Sequence, residues 1–193
     1  FSEIHPDYFQ IPIADKEALL NDQISKEDDE ENIDLNAVNT EVNGNNQPEK
    51  KAPLRKSNFY HKYRIQEVIK KGQIILVQVS KEERGNKGAA LTTFISLAGR
   101  YCVLMTNTIR KGGISRRITH SNDRKKLRSI ITELNIPASM AVIVRTAGSK
   151  MNKVEIKRDY NFLNKTWESI KADTLKSVAP ALIHEENNII KRG

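Results

Sequence analysis

The feature that most restricts how this chain can fold is an acidic, asparagine-rich tract, residues 15–57, set between two stretches of different composition. It contains the run Glu27-Asp28-Asp29-Glu30-Glu31 and the turn-forming Asn43-Gly44-Asn45-Asn46. Ordering a backbone costs about 1–2 kcal/mol per residue, and the tract has too little apolar surface to offset that, so it is expected to stay disordered. A loop of this length is foreign to the inside of a compact domain and marks an insertion or a boundary. The core must therefore come from residues 1–14 and from the chain beyond Tyr63.

Charge follows the same division. Between Asp15 and Glu49 there are 11 Asp/Glu against 2 Lys/Arg, a local net of −9. The whole chain has 32 basic and 24 acidic residues, so the other 158 residues hold 30 basic against 13 acidic, or +17. A surface of that sign attracts polyanions by releasing their counterions, and nucleic acid is the commonest polyanion in a cell. A solvated lysine-rich surface would carry the same charge, and charge alone does not choose between RNA and DNA. The longest apolar runs, such as Ile74–Val77, are too short to span a bilayer. The first residues lack the basic-then-apolar pattern of a secretory leader. One cysteine, Cys102, makes no internal disulfide and fits a reducing compartment, so a cytoplasmic location is expected.

Ile65, Val68 and Ile69 suit a short helical turn ending at Gly72. The run Ile74–Val79 is rich in β-branched residues and reads as a strand, Ala89–Leu97 as a second and Tyr101–Met105 as a third, with a glycine-bearing polar turn at Lys81–Gly88. Short successive strands of this kind fit a small barrel or a sandwich. Leu127, Ile130, Ile131 and Leu134 then recur at helical spacing, with Ser121 or Asn122 as cap, Asp123 in the first turn and Pro137 beyond the end. Ala141–Val144 predicts a strand. A second helix is expected over about Val154 to Leu175, with Tyr160, Leu163, Trp167 and Ile170 on its core side. Ala181–His184 and Asn188–Lys191 follow as short strand candidates.

Several motifs point further. Lys81 to Gly99, with Gly85-Asn86-Lys87-Gly88 and Phe94-Ile95-Ser96-Leu97-Ala98-Gly99 inside it, resembles the signature of the ribonuclease E/G family. Gly112-Gly113-Ile114-Ser115-Arg116-Arg117-Ile118, Val144-Arg145-Thr146-Ala147-Gly148, Trp167-Glu168 and Leu182-Ile183-His184-Glu185 resemble further family motifs in the family's order. The acidic tract resembles that of alphaproteobacterial members. The resemblance implies an α+β chain: a partial S1/OB-type β-barrel with a disordered acidic insertion, followed by a mixed α/β 5′-sensor region. Residues 1–14 and 58–97 would form part of the S1 domain around the insertion at 15–57. Residues 98–190 would be the 5′-sensor region, and 191–193 the start of the next domain.

The family cleaves single-stranded RNA by metal-assisted hydrolysis with a downstream Asp pair, and shares zinc between subunits through a downstream Cys pair. The resemblance therefore implies magnesium and zinc in the parent protein, through regions outside this chain, and a homo-tetrameric parent. No catalytic residue, metal ligand or cofactor is expected within these residues. The implied partner is single-stranded RNA, preferably 5′-monophosphorylated. The family's 5′-phosphate pocket falls on the backbone around Gly99 and Val103 and on the side chains of Arg145 and Thr146. A planar guanidinium meets two oxygens of a phosphate monoester at once, a hydroxyl donates to a third, and a glycine lets backbone approach the anion. Lys87, in its glycine-flanked turn, matches an RNA-facing lysine, and Arg116 and Arg117 belong to a cluster of 8 Lys/Arg against one acid over residues 110–128.

Three rival readings stand beside this one, one of which takes the acidic tract as a protein-interaction or autoinhibitory segment. A non-enzymatic S1-type RNA-binding module would show no preference for a 5′ group. A self-sufficient enzyme would need carboxylates such as Asp159 or Glu168, which lie on the long helix beside core positions. The histidines His5, His61, His120 and His184 lack metal-ligand spacing, and Cys102 reads as a small buried residue.

Overall fold

The computed structural model describes residues 3–17, 64–108 and 112–185. The chain divides into two compact units, Ile4–Ile75 and a larger one made of Phe1–Glu3 with Leu76–Gly193. Most of the acidic tract lies outside the described residues, as does the strand expected at Asn188–Lys191.

In the smaller unit, Pro6–Tyr8 forms a 3-10 turn whose start is capped by His5, its Nδ1 accepting from the Asp7 amide. Helix α1, Ile65–Val68, is a single turn. Its last carbonyl accepts from the Gln10 amide at 2.9 Å, and Gln73 Nε2 donates to the Tyr8 carbonyl at 2.8 Å. Residues from either side of the acidic tract are thus bonded directly to each other.

The larger unit opens with an antiparallel hairpin of β1, Gln78–Lys81, and β2, Ala90–Thr92, with a register shift between Val79 and Lys81. Glu3 adds a parallel bridge to Thr92. The hairpin turn is closed by reciprocal Arg84–Lys87 backbone bonds, and Gly85 at its first central position has φ +58, a conformation that favours glycine. The strand expected to begin at Ile74 begins instead at Gln78, because that is where the partner Ala90–Thr92 offers a ladder; Ile74 is left 76% exposed.

The strand expected over Ala89–Leu97 is two strands. Asn107 causes the break: its Oδ1 accepts from the Ile95 amide and its Nδ2 donates to the Thr93 carbonyl, while Thr92 Oγ1 accepts from the Phe94 amide. Side chains here take over backbone groups that a continuous ladder would have used. After the break, β3 (Ser96–Ala98), β4 (Cys102–Met105), β5 (Gly113–Ile114) and β6 (Ala141–Val144) form a second sheet in the order β3-β4-β6-β5. The β3–β4 and β4–β6 pairs are antiparallel, and β5–β6 is parallel. Among the described residues these strands do not close into a barrel; the architecture is α+β.

One face of this sheet is covered by helices α2, Ser121–Glu133, and α3, Lys153–Lys176. Cys102, Leu104, Val142 and Val144 point to that face and are fully buried, as the period-2 alternation requires. Tyr160, Leu163, Trp167 and Ile170 close over one part of it, where Leu97 of β3 joins the same cluster, and Leu127, Ile130 and Ile156 over the other. The residue at the N-cap of α2 is His120, which makes no side-chain capping bond, so the expected cap residues Ser121 and Asn122 lie inside the helix. Asn135, at φ 48 just past the helix, takes the left-handed conformation that commonly ends one. Asn152 caps α3 by accepting from the Glu155 amide. Residues Ala181–His184, expected as a strand, are not one; Leu182 is 80% exposed and no strand pairs with it among the described residues.

Candidate functional site

Sheet topology gathers three connections at one end. The β3–β4 turn follows Ala98 and precedes Cys102. Cys102 pairs with Val144, the last residue of β6, and Val144 pairs with Ile114, the last residue of β5. The β3–β4 turn, the residues after β6 and the residues after β5 therefore leave the sheet together. Gly99, Arg145, Thr146, Arg116 and Arg117 lie in these three connections, and Val103 lies one residue inside the edge, between Ala98 and Ile143. Lys87 does not join them; it sits in the β1–β2 hairpin turn of the other sheet.

The β3–β4 turn is built around a carboxylate. Asp159, on α3, accepts from the amides of Arg100 (3.2 Å), Tyr101 (2.9 Å) and Cys102 (3.0 Å), and from the Cys102 thiol (3.3 Å). Successive amides converging on one anion form a nest. The Gly99 amide donates to the Cys102 carbonyl at 2.8 Å. A Cβ at position 99 would stand 2.4 Å from Asp159 Oδ2 and 2.8 Å from Cγ, so only glycine lets the carboxylate come this near. Burial, then the charge of Asp159 and its hydrogen bond, push the Cys102 thiol far above its ordinary range. Burial also raises Tyr160.

Arg145 leaves β6 in extended conformation and heads the 3-10 turn Thr146–Gly148. Its amide donates to the Tyr101 carbonyl at 2.8 Å and its Nη1 to the Gly99 carbonyl at 3.0 Å. The turn that Asp159 shapes thus holds the guanidinium through one of its nitrogens. Gly148 permits the packing below: a Cβ there would lie 2.8 Å from Val144 Cγ1 and 3.0 Å from the Tyr101 carbonyl oxygen. Thr146 is exposed, and its hydroxyl has no partner among the described residues.

After β5 the Ser115 amide continues the pairing to the Val144 carbonyl at 2.9 Å, next to Arg145. Ile118 donates back to the Ser115 carbonyl, which makes Arg116-Arg117 the tip of a tight, exposed turn. Arg124 braces that turn from α2, its Nη1 donating to the carbonyls of Ile118 (3.1 Å) and Ser115 (3.4 Å).

Neither Asp159 nor Arg124 is marked by sequence pattern as a residue that builds this site. Arg124 looks like any member of its basic cluster, and only the fold distinguishes it. Asp159, which a self-sufficient enzyme would need as a catalytic acid, has its oxygens occupied by three amides and a thiol. A lone acid one residue before the core Tyr160 was the available signal.

The site is an arrangement of arginines and a hydroxyl suited to holding an anion at a sheet end, carried on an α+β frame. A family model described as the Ribonuclease E/G family matches residues 96–193. Ribonuclease E of Escherichia coli (strain K12) is 52% identical over 128 residues, 66% of this chain and 12% of that protein. Ribonuclease E of Buchnera aphidicola subsp. Acyrthosiphon pisum is 48% identical over 130 residues, 67% of this chain and 14% of that protein. Ribonuclease G of Escherichia coli is 34% identical over 106 residues, 55% of this chain and 21% of that protein. The chain belongs to the ribonuclease E/G family. It spans between about an eighth and about a fifth of the length of these three relatives.

Proposed function

We propose that this chain is the RNA-binding, 5′-monophosphate-sensing portion of a single-strand-specific endoribonuclease. The observation that carries the reading is the convergence of Arg145-Thr146, the Gly99 turn and the Arg116-Arg117 turn at one sheet end. Arg145 and Thr146 would grip the terminal phosphate, and Arg116 with Arg117 the nucleotides behind it. Gly99 serves through its carbonyl, which holds the guanidinium, and Val103 through its place in the adjoining ladder. The β1–β2 hairpin bearing Lys87 would belong to an S1-type barrel that follows the RNA backbone. Metal-assisted cleavage with magnesium, the zinc link and the tetramer would belong to other parts of a longer, cytoplasmic protein.

The test is a titration of one RNA carrying a 5′-monophosphate, a 5′-triphosphate or a 5′-hydroxyl. A charge-assisted hydrogen bond contributes on the order of 1.5–3 kcal/mol, so the monophosphate is expected to bind about tenfold or more better than the hydroxyl. The triphosphate should bind less well than the monophosphate. Arg145→Ala should abolish the preference and leave hydroxyl-ended RNA almost unchanged. Arg145→Lys should restore only part of it, since the two-pronged geometry is lost. Equal binding of all three ends by the wild type would make the chain a general RNA-binding module.

A further inference from the structure

Gln78 belongs to both sheets. Its backbone pairs with Thr92 in the β1–β2 hairpin, while its side chain reaches β3 of the second sheet. There its Nε2 donates to the Ser96 carbonyl at 2.8 Å, and its Oε1 accepts from the Ser96 amide at 2.8 Å. The Ser96 hydroxyl lies 3.5 Å from the same Oε1.

Strand β3 ends its sheet, with β4 its one neighbour among the described residues. The Ile95 carbonyl and the Gly99 amide bond toward β4, to Thr106 and Cys102, so alternation turns the polar groups of Ser96 to the open edge. One planar carboxamide donates and accepts there as a residue of a further strand would. Water could cover an edge as well; it could not tie that edge to another sheet. Asn107, which follows β4, reaches the opposite way and holds the Thr93 carbonyl and the Ile95 amide. Each sheet thus sends one amide side chain across the break between β2 and β3.

This tie sits between the two groups of residues assigned to RNA. On one side the hairpin leads from Gln78 to the turn bearing Lys87. On the other, the chain runs from Ser96 to Gly99, about 10 Å at strand rise, and the Gly99 carbonyl holds the Arg145 guanidinium.

We infer that Gln78 is a positioning residue: its carboxamide fixes the Lys87 hairpin relative to the Arg145–Thr146 end, so that one RNA strand meets both as a preset pair. Two contacts on one strand reinforce each other only while their spacing is held, because slack lowers the effective concentration of the second. The inference rests on the RNA-binding reading above and not on preference for any 5′ group.

The experiment first takes the full chain with Asn86→Cys and Lys150→Cys, both exposed, and spin-labels them; Cys102 is buried and stays unlabelled. The distance between the labels should be narrowly distributed with Gln78 in place and broad in Gln78→Ala. Gln78→Glu separates the tie from general loosening. Its carboxylate cannot donate to the Ser96 carbonyl, so the distribution should be broad at about pH 7; protonated, below about pH 4.3, it donates and accepts like the amide and should narrow the distribution again. Without labels, a 5′-hydroxyl, single-stranded RNA of about 16 nucleotides is titrated against the wild type, Lys87→Ala, Gln78→Ala and the double variant. The weakening caused by Lys87→Ala should be about threefold or more smaller in the Gln78→Ala background than in the wild type. Circular dichroism checks that each variant folds. An unchanged distribution in Gln78→Ala, or additive effects of the two substitutions on binding, overturns the inference. Failure of the wild type to bind RNA overturns the RNA-binding reading and this inference with it, and the distance distribution then tells whether the tie itself was at fault.

Discussion

Asp159 gives the sharpest measurement. Replacing it with alanine removes the acceptor for three amides and the Cys102 thiol at once. The Arg100 amide is exposed and can turn to water, so its loss costs little. The Tyr101 and Cys102 amides are part-buried, and leaving such a donor unsatisfied costs about 1–3 kcal/mol each. Discounting for water that enters the small space left behind, Asp159→Ala should destabilise the larger unit by about 3 kcal/mol. Asp159→Asn keeps one acceptor oxygen but turns an N–H₂ toward the amides, and should fall between the alanine variant and the wild type. Trp167, the single tryptophan, is buried in the same core cluster as Tyr160 and Leu163, so its fluorescence reports this unit during urea unfolding. The midpoint should fall with the slope unchanged. A loss below about 0.5 kcal/mol for Asp159→Ala would mean that the turn is held by the strand pairing alone, and the reasoning from the nest would be wrong.

Cys102 should make the chain alkali-sensitive. Its folded thiol is pushed up chiefly by burial, so above the unfolded thiol's value of about 8.5 only the unfolded state loses the proton, and stability should fall by about 1.4 kcal/mol per pH unit. Urea midpoints between about pH 8 and 10 check this, and a Cys102→Ala variant should lack that portion of the slope. Gly112→Ala should unseat β5, because the new Cβ would lie 2.4 Å from the Val142 carbonyl oxygen and 2.7 Å from its nitrogen, atoms of a central strand that cannot give way. Overpacking of this kind costs about 1–3 kcal/mol, and the Ser115 amide should lose its protection from hydrogen exchange; unchanged protection would mean that the strand pair absorbs the methyl group.

The long, periodic elements were legible because their sequence signal and tertiary role coincide. Leu163, Trp167 and Ile170 mark α3 by spacing, and that spacing is also what buries them. Ala141–Val144 was legible for a related reason: an uninterrupted apolar run suits a strand with neighbours on both sides. The hairpin region was less so. Ile74–Val77 has strand chemistry but lies outside the β1–β2 ladder, which begins at Gln78, and whether Ala89–Leu97 continues depends on Asn107, whose side chain reaches back across the chain. The sheet-end residues were named through motifs. That they share one end follows from strand order, which no local pattern encodes, and the carboxylate beneath the Gly99 turn comes from a residue 60 positions away.

The parallel pairing of β5 with β6 sets a mechanical gauge. Both strands run the same way and finish level, Ile114 beside Val144, so the chain segments carrying Arg116 and Arg145 start from adjacent rails about 4.8 Å apart. Any change in the register of β5 would move its arginines along the strand axis in steps of about 3.3 Å, never by a fraction. The jaw formed by these two segments has no continuous adjustment, only discrete settings. Gly112, pressed against the Val142 backbone, is the detent that holds the present one.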